Sequence, residues 1–198
     1  MFNRSKYVNL LKILIILLIL AIIGILAVIG YKSYNSYYVL AGAREAIAIF
    51  EEAIKNEDTS SKITTKYKEF TVIGIIEIPS IDLKYPILQE NTVEALETSV
   101  VLMYTSQGLN KIGNSVITGH NYRNNIMFSK LNELKIGEYI YITNDAGEKI
   151  RYQIYNIYEV DENENSYITR NIDGKKEISL STITDDSKLK TIVLAKEK

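Results

Sequence analysis

The sequence predicts a mainly β protein, a closed or nearly closed barrel carried behind a transmembrane helix and a helical stalk. Three observations lead there. Residues Ile13 to Gly30, ILIILLILAIIGILAVIG, run for eighteen positions without a charge. Residues 34–57 set Ala43, Ile47, Phe50 and Ile54 at three- and four-residue spacing between acids and lysine, the pattern of an amphipathic helix. From Phe70 onward, short runs rich in β-branched and aromatic residues alternate with turn residues.

Taken in order, the first element is a short tail, residues 1–12, whose Arg4, Lys6 and Lys12 precede the apolar run. A helix needs roughly 20 apolar residues to cross the hydrocarbon core, so 13–30 reads as a membrane anchor. Positive flanks stay in the cytoplasm, which puts the tail inside and everything from about Lys32 outside. A cleaved signal peptide is the rival reading, because AGA at 41–43 is a small-x-small pattern. That pattern lies too far beyond an apolar run that is itself too long for a signal peptide. Residues 31–68 form the stalk and linker, with EDTSSKITTK at 57–66 losing periodicity and gaining small polar residues.

Residues 69–198 hold the barrel. The strand candidates are 70–78, 83–88, 114–120, 138–143, 150–160, 177–182 and 190–196, with short helical pieces at 92–98 and 127–134. Seven or eight strands in that length, with turns at Asp145–Gly147 and Asp173–Gly174, favour a barrel over alternating βαβ units. The fifteen tyrosines are scattered through strands and stalk, so they read as packing and rim.

Composition narrows the function. Lys plus Arg total 23 against 24 Asp plus Glu, and the near-zero net charge offers no field to attract nucleic acid. No cysteine occurs, which removes disulfides, thiolate metal sites and thiol nucleophiles together. His120, the one histidine, ends the apolar strand of SVITGHNYR beside a glycine, where an imidazole can act as acid or base near neutral pH. DENEN at 161–165 gathers carboxylate and amide oxygens, but without diagnostic ligand spacing it reads as a solvated acidic loop. Neither metal nor cofactor is expected.

Three stretches resemble the sortases, membrane-anchored cysteine transpeptidases of Gram-positive bacteria. GIIEIPSIDLKYPIL (74–88) resembles the opening strands of their barrel, and VITGHNYR (116–123) the strand that ends in the catalytic histidine. ISLSTITDDSKLKTIVLAK (178–196) is similar to the Thr-Leu-x-Thr-Cys strand, its following loop and the strand bearing the active-site arginine. Loop spacing and wording lie closest to class B and class D members. The resemblance implies an eight-stranded barrel whose groove binds an extended LPxTG-type sorting signal. It further implies that a Cys thiolate attacks the Thr–Gly bond, a His protonates the leaving amine and an Arg steadies the oxyanion. Carried over by position, His120 takes the histidine role, Ile183 stands at the cysteine and Lys190 at the arginine.

Isoleucine has no lone pair, so covalent catalysis at 183 is excluded. Lysine keeps the charge of arginine but loses its planar fork of donors. Ser181 shares the Ile183 face but sits roughly 6.5 to 7 Å further back, while Thr182 and Thr184 point the other way. Locally, Ile183 extends the apolar alternation of a strand. An engineered inactive variant would ordinarily carry Ala or Ser at 183, and two linked departures fit a degenerate paralogue better.

The expectation is therefore a pseudosortase that binds a sorting-signal-like peptide or a sortase partner. The alternatives are an active transpeptidase using another nucleophile, a variant copy of a normal sortase, or a barrel that only presents its rim to neighbours.

Overall fold

A computed structural model describes residues 4–56, 64–122, 125–183 and 188–198. The chain opens with one helix, α1 (Arg4–Asn56). Nothing in the sequence between anchor and stalk breaks it, since Gly30 is its last glycine before Gly42 and no proline intervenes. Residues up to Tyr38 form one compact unit and Val39–Lys198 another. The first contains an exposed helical stretch long and apolar enough to cross a membrane.

In the second unit, the described residues form nine strands. They are β1 (Thr65–Tyr67), β2 (Phe70–Ile78), β3 (Leu83–Leu88), β4 (Val100–Thr105), β5 (Gly113–Thr118), β6 (Tyr139–Asn144), β7 (Lys149–Asp161), β8 (Lys176–Ile183) and β9 (Leu189–Glu197). The hydrogen-bonded order β2-β3-β4-β5-β8-β9-β7-β6 closes when β6 pairs back onto β2, so eight strands make the predicted barrel. The ninth, β1, pairs with Phe70–Val72 of β2, leaving Gly74–Glu77 of the same edge to β6. Gly74 permits this closure, because a Cβ there would lie 2.6 Å from the Thr143 carbonyl.

Inward-facing residues such as Ile76, Ile87, Ile117, Ile140, Leu180 and Val193 fill the barrel. Outside it, α1 is fastened by Ala46, Ile47 and Phe50 packing with Phe70, Val72, Ile75, Leu88 and Val101. This is the apolar stripe that the stalk sequence displayed. Phe50 is completely buried there.

Three sequence expectations change. The linker predicted for 57–66 lies outside the described residues at 57–63, and its last positions start β1. Val100–Thr105 is a strand directly after α2 (Val93–Thr98), with only Ser99 in extended backbone between them. Residues 127–134 form no α-helix but a single 3-10 turn, Leu131–Glu133. Positive φ at Asn125 and Met127 interrupts helical continuity there, while the apolar side chains Met127, Phe128, Leu131 and Leu134 are spent on the core.

Candidate functional site

The three positions singled out by sequence meet through strand pairing. β5 runs parallel to β8 with Thr118 opposite Ser181, so His120 and Ile183 each lie two residues beyond that pair. β9 runs antiparallel to β8 with Lys190 directly opposite Ile183. Three adjacent strand ends thus carry His120, Ile183 and Lys190 to one edge of the barrel.

Hydrogen bonds fix this corner. The Gly119 amide donates to the Ser181 carbonyl at 3.3 Å, the Thr118 hydroxyl to the same carbonyl at 3.0 Å, and the Thr182 hydroxyl to the Gly119 carbonyl at 2.8 Å. Asn121 Nδ2 reaches the Ile183 carbonyl at 3.4 Å. Glycine is required at 119 for packing, since a Cβ would lie 2.8 Å from Val100 Cγ1 and 3.0 Å from Phe128 Cδ2. A loop follows in which the Phe128 amide donates to the His120 carbonyl at 3.1 Å.

Ile183 does not continue the buried run of β8. Residues 177–182 are buried, whereas Ile183 is 49% exposed, a hydrocarbon side chain at the open end of the strand. The hydroxyls beside it are poorly placed for attack. Ser181 is 3% exposed, and Thr182, 5% exposed, already donates to a carbonyl. Thr184 lies outside the described residues.

His120 is half-buried, with its ring tilted 40° against Tyr122 at 4.8 Å between centroids. Burial pushes its pKa below the ordinary value, and the Glu97 carboxylate opposes this less strongly. The imidazole is therefore neutral at pH 7. In a cysteine–histidine pair a neighbouring thiolate would favour the imidazolium. At Ile183 no anion does so.

Lys190 is engaged by the β7–β8 loop. Its Nζ donates to Asn165 Oδ1 at 2.9 Å, approaches the Glu164 carbonyl at 3.5 Å, and lies 5.9 Å from the Tyr167 ring centroid. DENEN spans the end of β7 and the start of this loop, exposed, and two of its acids bond nearby backbone. Asp161 accepts from the Asn163 amide at 3.0 Å and Glu164 from the Ser166 amide at 2.6 Å.

A group that sequence reading missed anchors this loop to the barrel. Arg170 pairs with Glu177 at the start of β8, and its Nη2 donates to Asn114 Oδ1 and Ser179 Oγ, both at 3.3 Å. Asn114 Nδ2 donates to the carbonyls of Tyr167 and Ile168, and the Tyr155 hydroxyl donates to Glu177 at 2.7 Å. Burial first, then this bond to Glu177, raises the Tyr155 pKa and keeps it a donor. No sequence signal marked these residues, because they come from three strands and a loop joined only by the fold.

Comparison with known proteins agrees with this layout. Residues 76–198, more than half of the chain, match the family model for the sortase domain. Sortase A of Bacillus anthracis is 32% identical over 121 residues, covering 59% of this chain and 56% of that protein. Sortase A of Listeria monocytogenes is 28% identical over 131 residues, covering 66% and 56%. The chain thus aligns with just over half the length of these relatives.

Among solved structures, Streptococcus agalactiae sortase C1 superposes with a TM-score of 0.65 at 22% identity, covering 77% of this chain and 96% of that one. A Clostridium perfringens sortase D5 transpeptidase gives 0.62 at 24% identity, covering 80% and 96%. At such identities the structural likeness speaks for the fold. The domain match and the closed eight-stranded barrel agree, and the chain belongs to the sortase family.

Proposed function

We propose that this chain is a membrane-anchored pseudosortase, which binds an extended LPxTG-type sorting peptide or a sortase partner and does not cleave it. The observation that carries the reading is Ile183, standing where the family's nucleophile belongs, in register with His120 and opposite Lys190. Acyl transfer begins with a lone pair on a side chain, and a sec-butyl group supplies none. The adjoining hydroxyls give no relief, since one is buried and the other is committed to the Gly119 carbonyl.

Lys190 fits the same reading. Its ammonium is held by Asn165 on the loop rather than offered to a developing oxyanion, and it lacks the fork by which arginine serves two partners at once. Residues 13–30 would anchor the chain with its N-terminus in the cytoplasm, as Arg4, Lys6 and Lys12 favour. Residues 31–68 would serve as stalk and linker, and the barrel domain from residue 69 would face outward.

Fluorescence anisotropy with a labelled LPxTG peptide, followed by mass analysis of that peptide, tests the proposal. The expected result is saturable binding with the peptide intact. Cleaved peptide would mean an active transpeptidase with another nucleophile. Failure to bind either the peptide or a sortase partner would leave a structural surface barrel.

A further inference from the structure

A cleft of about 490 Å³ opens between residues 40–51 of α1, residues 81–85 around the start of β3, and residues 125–130. That volume lies within the roughly 300–1,000 Å³ of small-molecule sites. Ile47, Leu83 and Met127 are buried along it. Beside them lies Tyr85, only 3% exposed, whose hydroxyl has no hydrogen-bond partner. Burial raises the Tyr85 pKa, and the Met127 backbone opposes this less strongly. The phenol is thus a neutral donor, and a buried donor without an acceptor is costly unless a ligand supplies one.

The rim is charged. Lys84 is already neutralised by Glu51 at 2.8 Å. Arg44 and Lys130 form no ion pair or hydrogen bond through their side chains among the described residues, which leaves two unpaired cations against the single carboxylate of Asp82. A buried hydroxyl donor and two cations above an apolar floor complement a negative head on an apolar body.

We infer that this cleft binds a small organic anion, a carboxylate or phosphate carried on an apolar group. The anion is held by Arg44 and Lys130 and accepts from the Tyr85 hydroxyl, while the apolar part rests on Ile47, Leu83 and Met127. No bond is made or broken. None of His120, Ile183 and Lys190 lines this cleft, although its Met127 is bridged to Asn121 beside His120.

The test is calorimetric titration of the full chain in lipid nanodiscs, with empty nanodiscs subtracted. The probes are phenyl phosphate, benzoate and, as the neutral control, phenyl glucoside. Saturable one-to-one binding of phenyl phosphate or benzoate is expected, the tighter of the two identifying the head group. The double variant Arg44→Ala/Lys130→Ala, altered only at side chains outside the buried core, should weaken it at least about tenfold. Tyr85→Phe, which keeps the ring, should weaken it severalfold. Absence of saturable heat from both anions, equal binding of phenyl glucoside, or full affinity in the double variant would overturn the inference.

Discussion

Replacing Arg170 with Met should be among the most damaging single changes outside the barrel interior. The Arg170 and Glu177 side chains are 16% and 8% exposed, so the variant leaves a buried carboxylate with Tyr155 as its remaining donor. Removing one member of a buried ion pair costs about 3–5 kcal/mol. The lower end applies here, because Tyr155 persists, Ser179 and Asn114 keep their mutual bond at 3.0 Å, and the partnerless Arg170 Nε is removed with the rest. A loss of about 3 kcal/mol in a chain of this size lowers Tm by roughly 6–12 °C. Glu177→Gln should cost less, about 1–2 kcal/mol, since its amide oxygen still accepts from both donors. The double variant should be less destabilised than the sum of the two by 1 kcal/mol or more, as neighbours in one network are. Thermal unfolding of the four proteins, followed by circular dichroism, measures this. An Arg170→Met loss under about 1 kcal/mol, or strict additivity, would refute the claim that the pair pins the β7–β8 loop.

The lone histidine offers a clean spectroscopic handle. Its NMR titration should have a midpoint below that of an unstructured histidine, and Ile183→Cys should move the midpoint upward as a thiolate forms beside it. Because the folded-state pKa is depressed, the associated stability is present above the unfolded pKa and is lost as pH falls through the folded one. A titration unchanged in Ile183→Cys would show that the two side chains do not meet. Gly119→Ala should cost about 1–3 kcal/mol through overlap with Val100 and Phe128, read by denaturant unfolding, and a neutral result would contradict the packing described. Phe50→Ala should cost about 3–5 kcal/mol and expose the α1 face, read as faster hydrogen exchange in residues 70–75.

Much of the barrel is legible in the sequence because its strands carry strong local signals. The runs at 70–78 and 83–88 end where turn residues stand, and both are strands over those same residues. β4 escaped because Val100–Thr105 follows a helix with neither turn residue nor alternation to announce a change of period. β1 has three residues, too few to show any period. Residues 127–134 mimic a helix because the core takes their apolar side chains from irregular backbone. Of the site, each position could be found from its own motif, but the alignment of His120 with Ile183 rests on a parallel pairing between strands some sixty residues apart. Lys190 as a partner of Asn165, and the Arg170–Glu177 anchor, depend on loop placement, which no local pattern encodes.

Under the proposed function, a sortase frame persists around a side chain that cannot begin sortase chemistry. The most direct test of this claim is intact-mass analysis of the wild-type chain and the Ile183→Cys/Lys190→Arg variant after incubation with an LPxTG peptide. The wild-type mass should stay unchanged while the variant gains the acyl fragment of the peptide. An adduct on the wild-type protein would contradict the claim outright, and an inert variant would mean that the groove has diverged along with its nucleophile.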